Sequence, residues 1–249
     1  MVFRKAHVRT VCLYITAACM TFLCAAALGI FTGVLPVRIA VEADVLPVTP
    51  VFILDPGHGG EDGGAVAEDG TMEKDLNLDI AMTMAELADF LGYPVTITRR
   101  EDEMLYNRYG DMTEYGGKKK TYDLRNRLRF AEESGGAVFC SIHMNKFPSP
   151  SCKGLQVYYG TEAEESRSYA AVLQSYARTF LDPQNHRETK KADSAIYLLH
   201  RMPIPAVLVE CGFLSNPEEC ARLNTAEYRK ITAAVLTAAL TECREAEVS

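Results

Sequence analysis

Three polar residues, His58, His143 and Glu210, occupy corresponding places in this sequence. Each directly follows or ends a short apolar run of the kind that forms a buried strand. Ligands of open α/β sheets bind beyond the carboxyl ends of the parallel strands, so we expect these three side chains to converge at one rim. Two histidines at a shared rim indicate a metal site.

Glu73 is the residue that we expect to complete this metal site. A hydrolytic zinc site usually has three protein ligands drawn from histidine and carboxylate, and it keeps a fourth position open for water. Glu73 stands just ahead of a predicted helix, where a carboxylate also favours the helix macrodipole. The cluster Gly57, Gly59 and Gly60 suggests a phosphate-binding loop as an alternative. That alternative is weak, because neither G-x-x-x-x-G-K-[ST] nor G-x-G-x-x-G follows.

Other histidines, arginines and lysines are weaker candidates for metal ligands or substrate contacts. His186 lies in a polar loop and His200 precedes Arg-Met-Pro, so we interpret both as surface residues rather than ligands. Arg99 and Arg127 could contact substrate, although pairing with acids such as Asp102 or Asp123 is the commoner use of arginine. The three lysines at 118–120 are interpreted as a solvated charge run.

Strand-like and helix-like runs alternate from Val51 onward, and they must position these residues. Such alternation predicts an α/β fold with three layers, in which helices cover both faces of a twisted, mostly parallel sheet. The predicted strands are Val51–Leu54, Val95–Thr98, Ala137–Ile142, Gly154–Tyr159 (an edge strand), Ala195–Leu199 and Ala206–Val209. The predicted helices are Asn77–Leu91, Asp123–Ser134, Glu162–Phe180 and Glu227–Thr241, with a long exposed loop over Glu103–Lys120.

The length and the net charge of the chain limit its domain size and its possible functions. The chain has 249 residues, enough for one medium domain with a sizeable core. Its net charge of -7 argues against a general nucleic-acid binder, which needs a basic surface. The cysteines outside the N-terminal apolar segment are odd in number and lack CxxC spacing, so we interpret most of them as small buried apolar side chains.

The sequence of the N-terminal region predicts a membrane anchor. Residues 10–37 carry no charge, and bases precede them while acids follow soon after. This predicts a basic cytoplasmic segment at 1–9, a transmembrane signal-anchor at 10–37, a linker at 38–50 and an extracytoplasmic catalytic domain at 51–249. A cleaved signal peptide with secretion is the alternative, although its apolar region is typically about 7–15 residues long.

Several motifs of the chain, taken together, resemble the zinc-dependent N-acetylmuramoyl-L-alanine amidases of the Amidase_3 type. The resemblance runs in order from about Val51 to Leu240. It is carried by DPGHGGEDGGA at 55–65, EKDLN at 73–77, TRRED at 98–102, Leu124 with Arg127, SIHMN at 141–145 and VECGFLSN at 209–216. Within the family, the MNKFP run at 144–148, the anchor and the lack of wall-binding repeats resemble the CwlD-type sporulation (germination-related) amidases.

The resemblance implies a site and a reaction. His58, Glu73 and His143 would ligate one Zn²⁺, and Glu210 would be the catalytic acid and base. Asn145 could support the site by hydrogen bonding or serve instead in a turn or helix cap, and Arg99 could support the site through contact with substrate. The bond cut would be the amide between the lactyl group of N-acetylmuramic acid and the L-Ala of the stem peptide. The setting would be spore cortex maturation, where stem-peptide removal precedes muramic δ-lactam formation, and germination.

Two rival functions are also consistent with these residues. One is a different zinc amidohydrolase on peptidoglycan, such as a carboxypeptidase or a deacetylase, which only product chemistry separates from an amidase. The other is an inactive, membrane-anchored wall-binding module, against which the retention of all four presumed site residues speaks. The expected partners are peptidoglycan, the membrane and an activating protein.

Overall fold

The structure is a computed structural model that describes residues 51–109 and 118–248. The predicted basic segment, membrane helix and linker at 1–50 lie outside the described residues, as does the middle of the predicted loop, 110–117. Among the described residues, no helix has both the length and the apolar character needed to cross a bilayer.

Six strands and six helices make up the described part of the chain. The strands are β1 (Phe52–Pro56), β2 (Val95–Ile97), β3 (Val138–Asn145), β4 (Gln156–Tyr159), β5 (Lys190–Lys191) and β6 (Ala206–Phe213). The helices are α1 (Glu73–Phe90), α2 (Lys119–Ser134), α3 (Glu165–Phe180), α4 (Tyr197–Arg201), α5 (Pro217–Leu223) and α6 (Ala226–Val248).

The strands form one mostly parallel sheet, in the order β2-β1-β3-β6-β4-β5. β1 pairs in parallel with β2 and β3, and β3 pairs in parallel with β6. β4 runs antiparallel to β6, and the two-residue β5 runs parallel to β4. The carboxyl ends of β1, β3 and β6 therefore meet at one edge of the sheet, as the sequence predicts.

Helices cover both faces of this sheet, which confirms the predicted three layers. Successive side chains of a strand point to opposite faces. Cys140 of β3 accordingly belongs to one buried apolar cluster and its neighbour Phe139 to the other. The first cluster includes residues of α1, α3 and α6 such as Ile80, Leu173 and Leu236, and the second includes residues of α2 and α4 such as Ala131 and Leu199.

Some elements differ from their predictions. The predicted strand Ala195–Leu199 is wrong, because the chain forms helix α4 there, and a short apolar run does not distinguish a strand from a buried helix. The predicted loop Glu103–Lys120 ends earlier than expected, since α2 begins at Lys119. β4 was predicted as an edge strand, but β5 adds one short further strand beside it.

The cysteines of the described residues are all free. Cys140, Cys211, Cys220 and Cys243 are buried and Cys152 is partly buried. The prediction that most of them are small buried apolar side chains is therefore confirmed.

Candidate metal and catalytic centre

His58 lies in the loop that follows β1. The loop is tied to the neighbouring strand because the Gly57 amide donates to the Ile142 oxygen at 3.0 Å. His58 itself has φ of 61°, a left-handed backbone conformation that is uncommon for residues other than glycine. Its Nδ1 atom lies 2.9 Å from Oδ2 of Asp62, so the opposite ring nitrogen, Nε2, faces the site.

Glu73 is the first residue of α1, and its carboxylate lies between the two histidines. Oε1 is 3.2 Å from Nε2 of His58 and 2.8 Å from Nδ1 of His143. The other oxygen, Oε2, accepts a 2.7 Å hydrogen bond from the Ala65 amide. Glu73 is 3% exposed, so this carboxylate is enclosed by the residues that it contacts.

His58, Glu73 and His143 form a group that fits a metal ion. One donor atom from each side chain lies within 4.8 Å of the other two. Tetrahedral zinc with bonds of about 2.0–2.2 Å places its ligand atoms roughly 3.3–3.6 Å apart, close to the spacing seen here. The structure thus brings together all three predicted ligands.

Two glycines leave the room that this group occupies. A β-carbon at Gly57 would lie 2.2 Å from the Cε1 and Nε2 atoms of His143. One at Gly64, where φ is +67°, would lie 2.5 Å from Oε2 of Glu73 and 2.7 Å from Cδ2 of His58. The glycines of the DPGHGGEDGGA run therefore serve the packing of the three side chains.

Glu210 lies beside this group on the next strand. It is the register partner of His143 in the β3–β6 pair, and it is partly buried. Its Oε2 atom is enclosed and has no hydrogen-bond partner among residues 51–109 and 118–248. The predicted end of the strand at Val209 is four residues early, because β6 continues to Phe213.

The charged groups of the centre have shifted pKa values with distinct causes. Burial alone would raise the pKa of Glu73, but hydrogen bonds and charge from His143 and His58 outweigh it and hold that pKa far below its ordinary value. Burial would lower the pKa of His58, and contact with Glu73 and Asp62 raises it instead. Burial raises the pKa of Glu210 to about 7.

Arg99 and Arg127 lie beneath the loop that carries His58. The predicted pairing of Arg127 with Asp123 is confirmed, with Nε donating to Oδ2 at 2.7 Å. The predicted pairing of Arg99 with Asp102 is wrong, because Asp102 forms an ion pair with Lys74 at 2.6 Å and Arg99 donates to backbone oxygens. Burial and then the charge of Arg127 lower the pKa of Arg99 to about 10, so it stays charged at neutral pH.

The remaining predicted residues lie around the site or away from it. Asn145 ends β3, and its backbone oxygen accepts from the Leu214 amide at 2.8 Å, which extends the sheet contact with β6. His186 is exposed, as predicted. His200 is only partly exposed, with Nδ1 enclosed, so its interpretation as a surface residue is wrong in part. The lysine run is not simply solvated, since Lys120 lies 3.0 Å from Asp62.

Two acids at the centre were not singled out from the sequence. Asp62 contacts His58, and a carboxylate on the second nitrogen of a ligand histidine fixes the orientation of the ring. Asp55 is fully buried and accepts from Arg127, Thr98 and Ser141. The spacing of four residues between His58 and Asp62 is a local signal that could have found Asp62, whereas the partners of Asp55 are all distant in sequence.

Two cavities differ in volume and in the residues that line them. One of about 40 Å³ touches His58 and His143 together with Asp62, Lys120 and Leu198, which is room for a small number of waters. A larger one of about 220 Å³ lies between residues 67–69 and 214–221, and none of the four predicted site residues lines it. Of these two cavities only the smaller one adjoins His58 and His143, and its lining includes neither Glu73 nor Glu210.

Comparisons with known proteins identify a family for this chain. The Amidase_3 family, described as N-acetylmuramoyl-L-alanine amidase, matches residues 52–242. The germination-specific N-acetylmuramoyl-L-alanine amidase of Bacillus subtilis is 34% identical over 179 residues, which are 72% of this chain and 73% of that protein.

Solved structures show the same fold. The CwlD amidase of Clostridioides difficile, in complex with the GerS lipoprotein, is 35% identical with a TM-score of 0.73, over 78% of this chain and 98% of that one. The amidase AmiC2 of Nostoc punctiforme is 27% identical with a TM-score of 0.66, over 79% of this chain and 98% of that one. With its His-Glu-His group and the adjacent glutamate at the sheet edge, this chain belongs to the Amidase_3 family of N-acetylmuramoyl-L-alanine amidases and resembles the CwlD-type sporulation enzymes.

Proposed function

We propose that the protein is a zinc-dependent amidase that hydrolyses the bond between the lactyl group of N-acetylmuramic acid and the L-Ala of the stem peptide. The observation that carries this proposal is one arrangement of four side chains. Three donor atoms from His58, Glu73 and His143 lie within 4.8 Å of one another, and Glu210 stands beside them in register with His143.

The donor set fits zinc better than a hard cation. Two imidazole nitrogens and one carboxylate oxygen are a common ligand set of hydrolytic zinc sites, whereas Mg²⁺ and Ca²⁺ favour oxygen ligands. Zinc held by these residues would lower the pKa of water and polarise the carbonyl of the amide that is cut. Asp62 lies 2.9 Å from Nδ1 of His58, and the opposite ring atom, Nε2, is directed at the site.

Glu210 is suited to move the proton in this reaction. Its carboxylate lies in register with the ligand His143, where it can take a proton from the attacking water and return it to the departing amine. Its enclosed Oε2 atom has no competing donor in the described chain. Glu73 cannot share this role, because its oxygens are committed to the histidines and to the Ala65 amide.

The proposed biological setting is spore cortex maturation and germination. The supporting observation is the similarity to the germination-specific amidase of B. subtilis and to the CwlD amidase. Because the solved CwlD amidase is bound to a lipoprotein, we extend the proposal to an activating protein partner for this chain. Removal of stem peptides by this enzyme would prepare the muramic acid for δ-lactam formation.

We also propose that the enzyme works outside the cytoplasmic membrane, held by residues 10–37. Support comes from the sequence, since this segment is uncharged, bases precede it and acids follow. Cleavage of the segment and secretion of the domain is the alternative, which the size of the mature protein in cell fractions distinguishes.

Product analysis tests the proposed reaction. The purified protein, loaded with zinc, is incubated with peptidoglycan, and the released species are identified by mass spectrometry. We expect free stem peptides that begin with L-Ala and glycan that keeps its acetyl groups. Release of D-Ala would instead identify a carboxypeptidase and release of acetate a deacetylase. Absence of any product, both from the protein alone and in the presence of the proposed activating partner, would favour the inactive wall-binding module.

A further inference from the structure

Three consecutive backbone oxygens beside and within the ligand His58 accept hydrogen bonds from two buried arginines. Arg127 donates to the oxygens of Pro56 and His58 at 2.9 and 2.5 Å. Arg99 donates to the oxygens of Pro56 and Gly57, both at 3.0 Å. Each arginine is 1% exposed, and the contacts with the Pro56 and Gly57 oxygens are buried.

Arg127 is itself fixed from the other side by two acids. Its Nε donates to Asp123 at 2.7 Å and its Nη1 to Asp55 at 2.6 Å. Asp55 is held in turn by the hydroxyls of Thr98 and Ser141, both at 2.7 Å. Four acceptors therefore orient one guanidinium, and the fork of an arginine suits such a set in a way that the ammonium of lysine does not.

Arg99 connects the loop of one ligand to the helix of another. Besides the Pro56 and Gly57 oxygens, its Nη2 donates to the backbone oxygen of Lys74 at 2.9 Å. Lys74 follows Glu73, so Arg99 bridges the segment ending at His58 and the first turn of α1. Asn77 reinforces this bridge, because its Nδ2 atom donates to the Gly57 oxygen at 3.1 Å.

The backbone at His58 needs such support. A φ of 61° is sparsely populated for a histidine and persists only where the surroundings determine it. The Pro56 and Gly57 oxygens are buried, and a buried backbone oxygen requires a donor. The two guanidiniums meet both needs at once, since they bind the oxygens of Pro56, Gly57 and the strained His58 itself.

We propose that Arg127 and Arg99 are positioning residues that hold the His58 loop, and through Lys74 the start of α1, in the geometry that binds zinc. This inference rests on the proposed function, because it concerns the affinity of the same metal site. Neither arginine is assigned a contact with substrate or with the reacting atoms.

The test measures zinc affinity rather than activity. Full-length wild-type protein and the variants Arg127→Lys and Arg99→Lys are titrated with zinc against a chromogenic chelator, after circular dichroism has shown that each is folded. Changes to residues that orient metal ligands typically weaken binding by about 10–100-fold, and we expect a loss in that range for both variants.

Two controls separate positioning from general stability. Arg129→Lys places the same substitution on the same helix, where Arg129 forms a half-exposed pair with Glu133, and it should leave zinc affinity within about twofold. Leu236→Ala removes a fully buried side chain of α6 and should lower stability without weakening zinc binding by the folded protein.

Each outcome either supports or overturns the positioning role of the two arginines. Folded Arg127→Lys and Arg99→Lys proteins that bind zinc within twofold of wild type overturn the inference while leaving the proposed function intact. A wild-type protein that binds no zinc overturns the proposed function first. If Arg127→Lys does not fold, Arg99→Lys decides alone, and failure of both to fold assigns the pair to general stability and overturns the proposal.

Discussion

The carboxylates of Glu73 and Glu210 belong to one centre but lie in opposite surroundings. Glu73 opens α1, and its two oxygens face His58, His143 and the Ala65 amide. Glu210 lies within β6, where its Oε2 atom is enclosed without a partner in the described residues. Contact with the two histidines holds the pKa of Glu73 far below its ordinary value, whereas burial raises the pKa of Glu210 to about 7.

This difference assigns the two carboxylates to different tasks. A pair of acids whose surroundings push their pKa values apart is a common sign of divided roles in an active site. Glu73 stays ionised over the whole physiological range, which a metal ligand requires. In the zinc-free protein burial raises the pKa of Glu210 to about 7, and its Oε2 atom has no hydrogen-bond partner among the described residues, which suits a group that accepts and returns a proton.

The largest expected effect comes from replacing the proton carrier. Glu210→Gln keeps the shape of the side chain but removes the group that can take a proton. We expect kcat on peptidoglycan to fall by roughly 10²–10⁴-fold, with zinc affinity changed by less than a few fold. A kcat within tenfold of wild type, measured by release of stem peptides, would remove Glu210 from the mechanism.

The two acids should also affect the stability of the zinc-free protein in different pH windows. The pKa of Glu210 is raised from 4.5 to about 7, so its contribution to stability is present below about pH 4.5 and is lost as pH rises to about 7. Glu210→Gln should therefore gain stability relative to wild type across that window, on the order of 3 kcal/mol.

Glu73 should act in the opposite direction and at lower pH. Its pKa is lowered from 4.5, so its contribution is present above pH 4.5 and is lost as pH falls below that value. Urea unfolding of wild type, Glu73→Gln and Glu210→Gln between pH 3 and pH 8 measures both effects. Parallel pH profiles for the two variants would refute the contrast between the acids.

The smallest effect should come from the charges at the exposed mouth of the site. Lys119 forms an ion pair with Glu61 at 2.6 Å, with both side chains well exposed to solvent. Exposed pairs of this kind contribute little because water and salt screen them. Lys119→Met should leave zinc affinity and the urea midpoint unchanged within error. A clear loss of zinc affinity would show that this exposed ion pair also affects the metal site.

Site residues that lie in or just after strands could be predicted from the sequence because their signal is local. His58, His143 and Glu210 each interrupt or follow an apolar run, and a parallel sheet brings such positions to one edge. Glu73 could also be predicted from a local signal, because it stands at the start of a helix with periodic apolar residues. The main architecture followed from the alternation of runs, although the five-residue α4 was mistaken for a strand.

The network beneath the site could not be predicted in this way, since its contacts join distant parts of the chain. Asp55 meets Arg127 from 72 residues away and Ser141 from 86 residues away. Arg99 donates to backbone oxygens, and a backbone oxygen carries no mark in the sequence. Only the folded structure shows that two arginines serve the loop of His58.

The measurement that tests the central claim most directly is the zinc content of two matched variants. Glu73→Gln and Glu210→Gln make the same chemical change in the two carboxylates, and metal per chain is determined by inductively coupled plasma mass spectrometry after loading and desalting. We expect about one zinc per chain in Glu210→Gln, as in wild type, and little in Glu73→Gln. Equal zinc in both variants, or its loss from Glu210→Gln alone, would contradict the assignment of Glu73 as ligand and Glu210 as proton carrier.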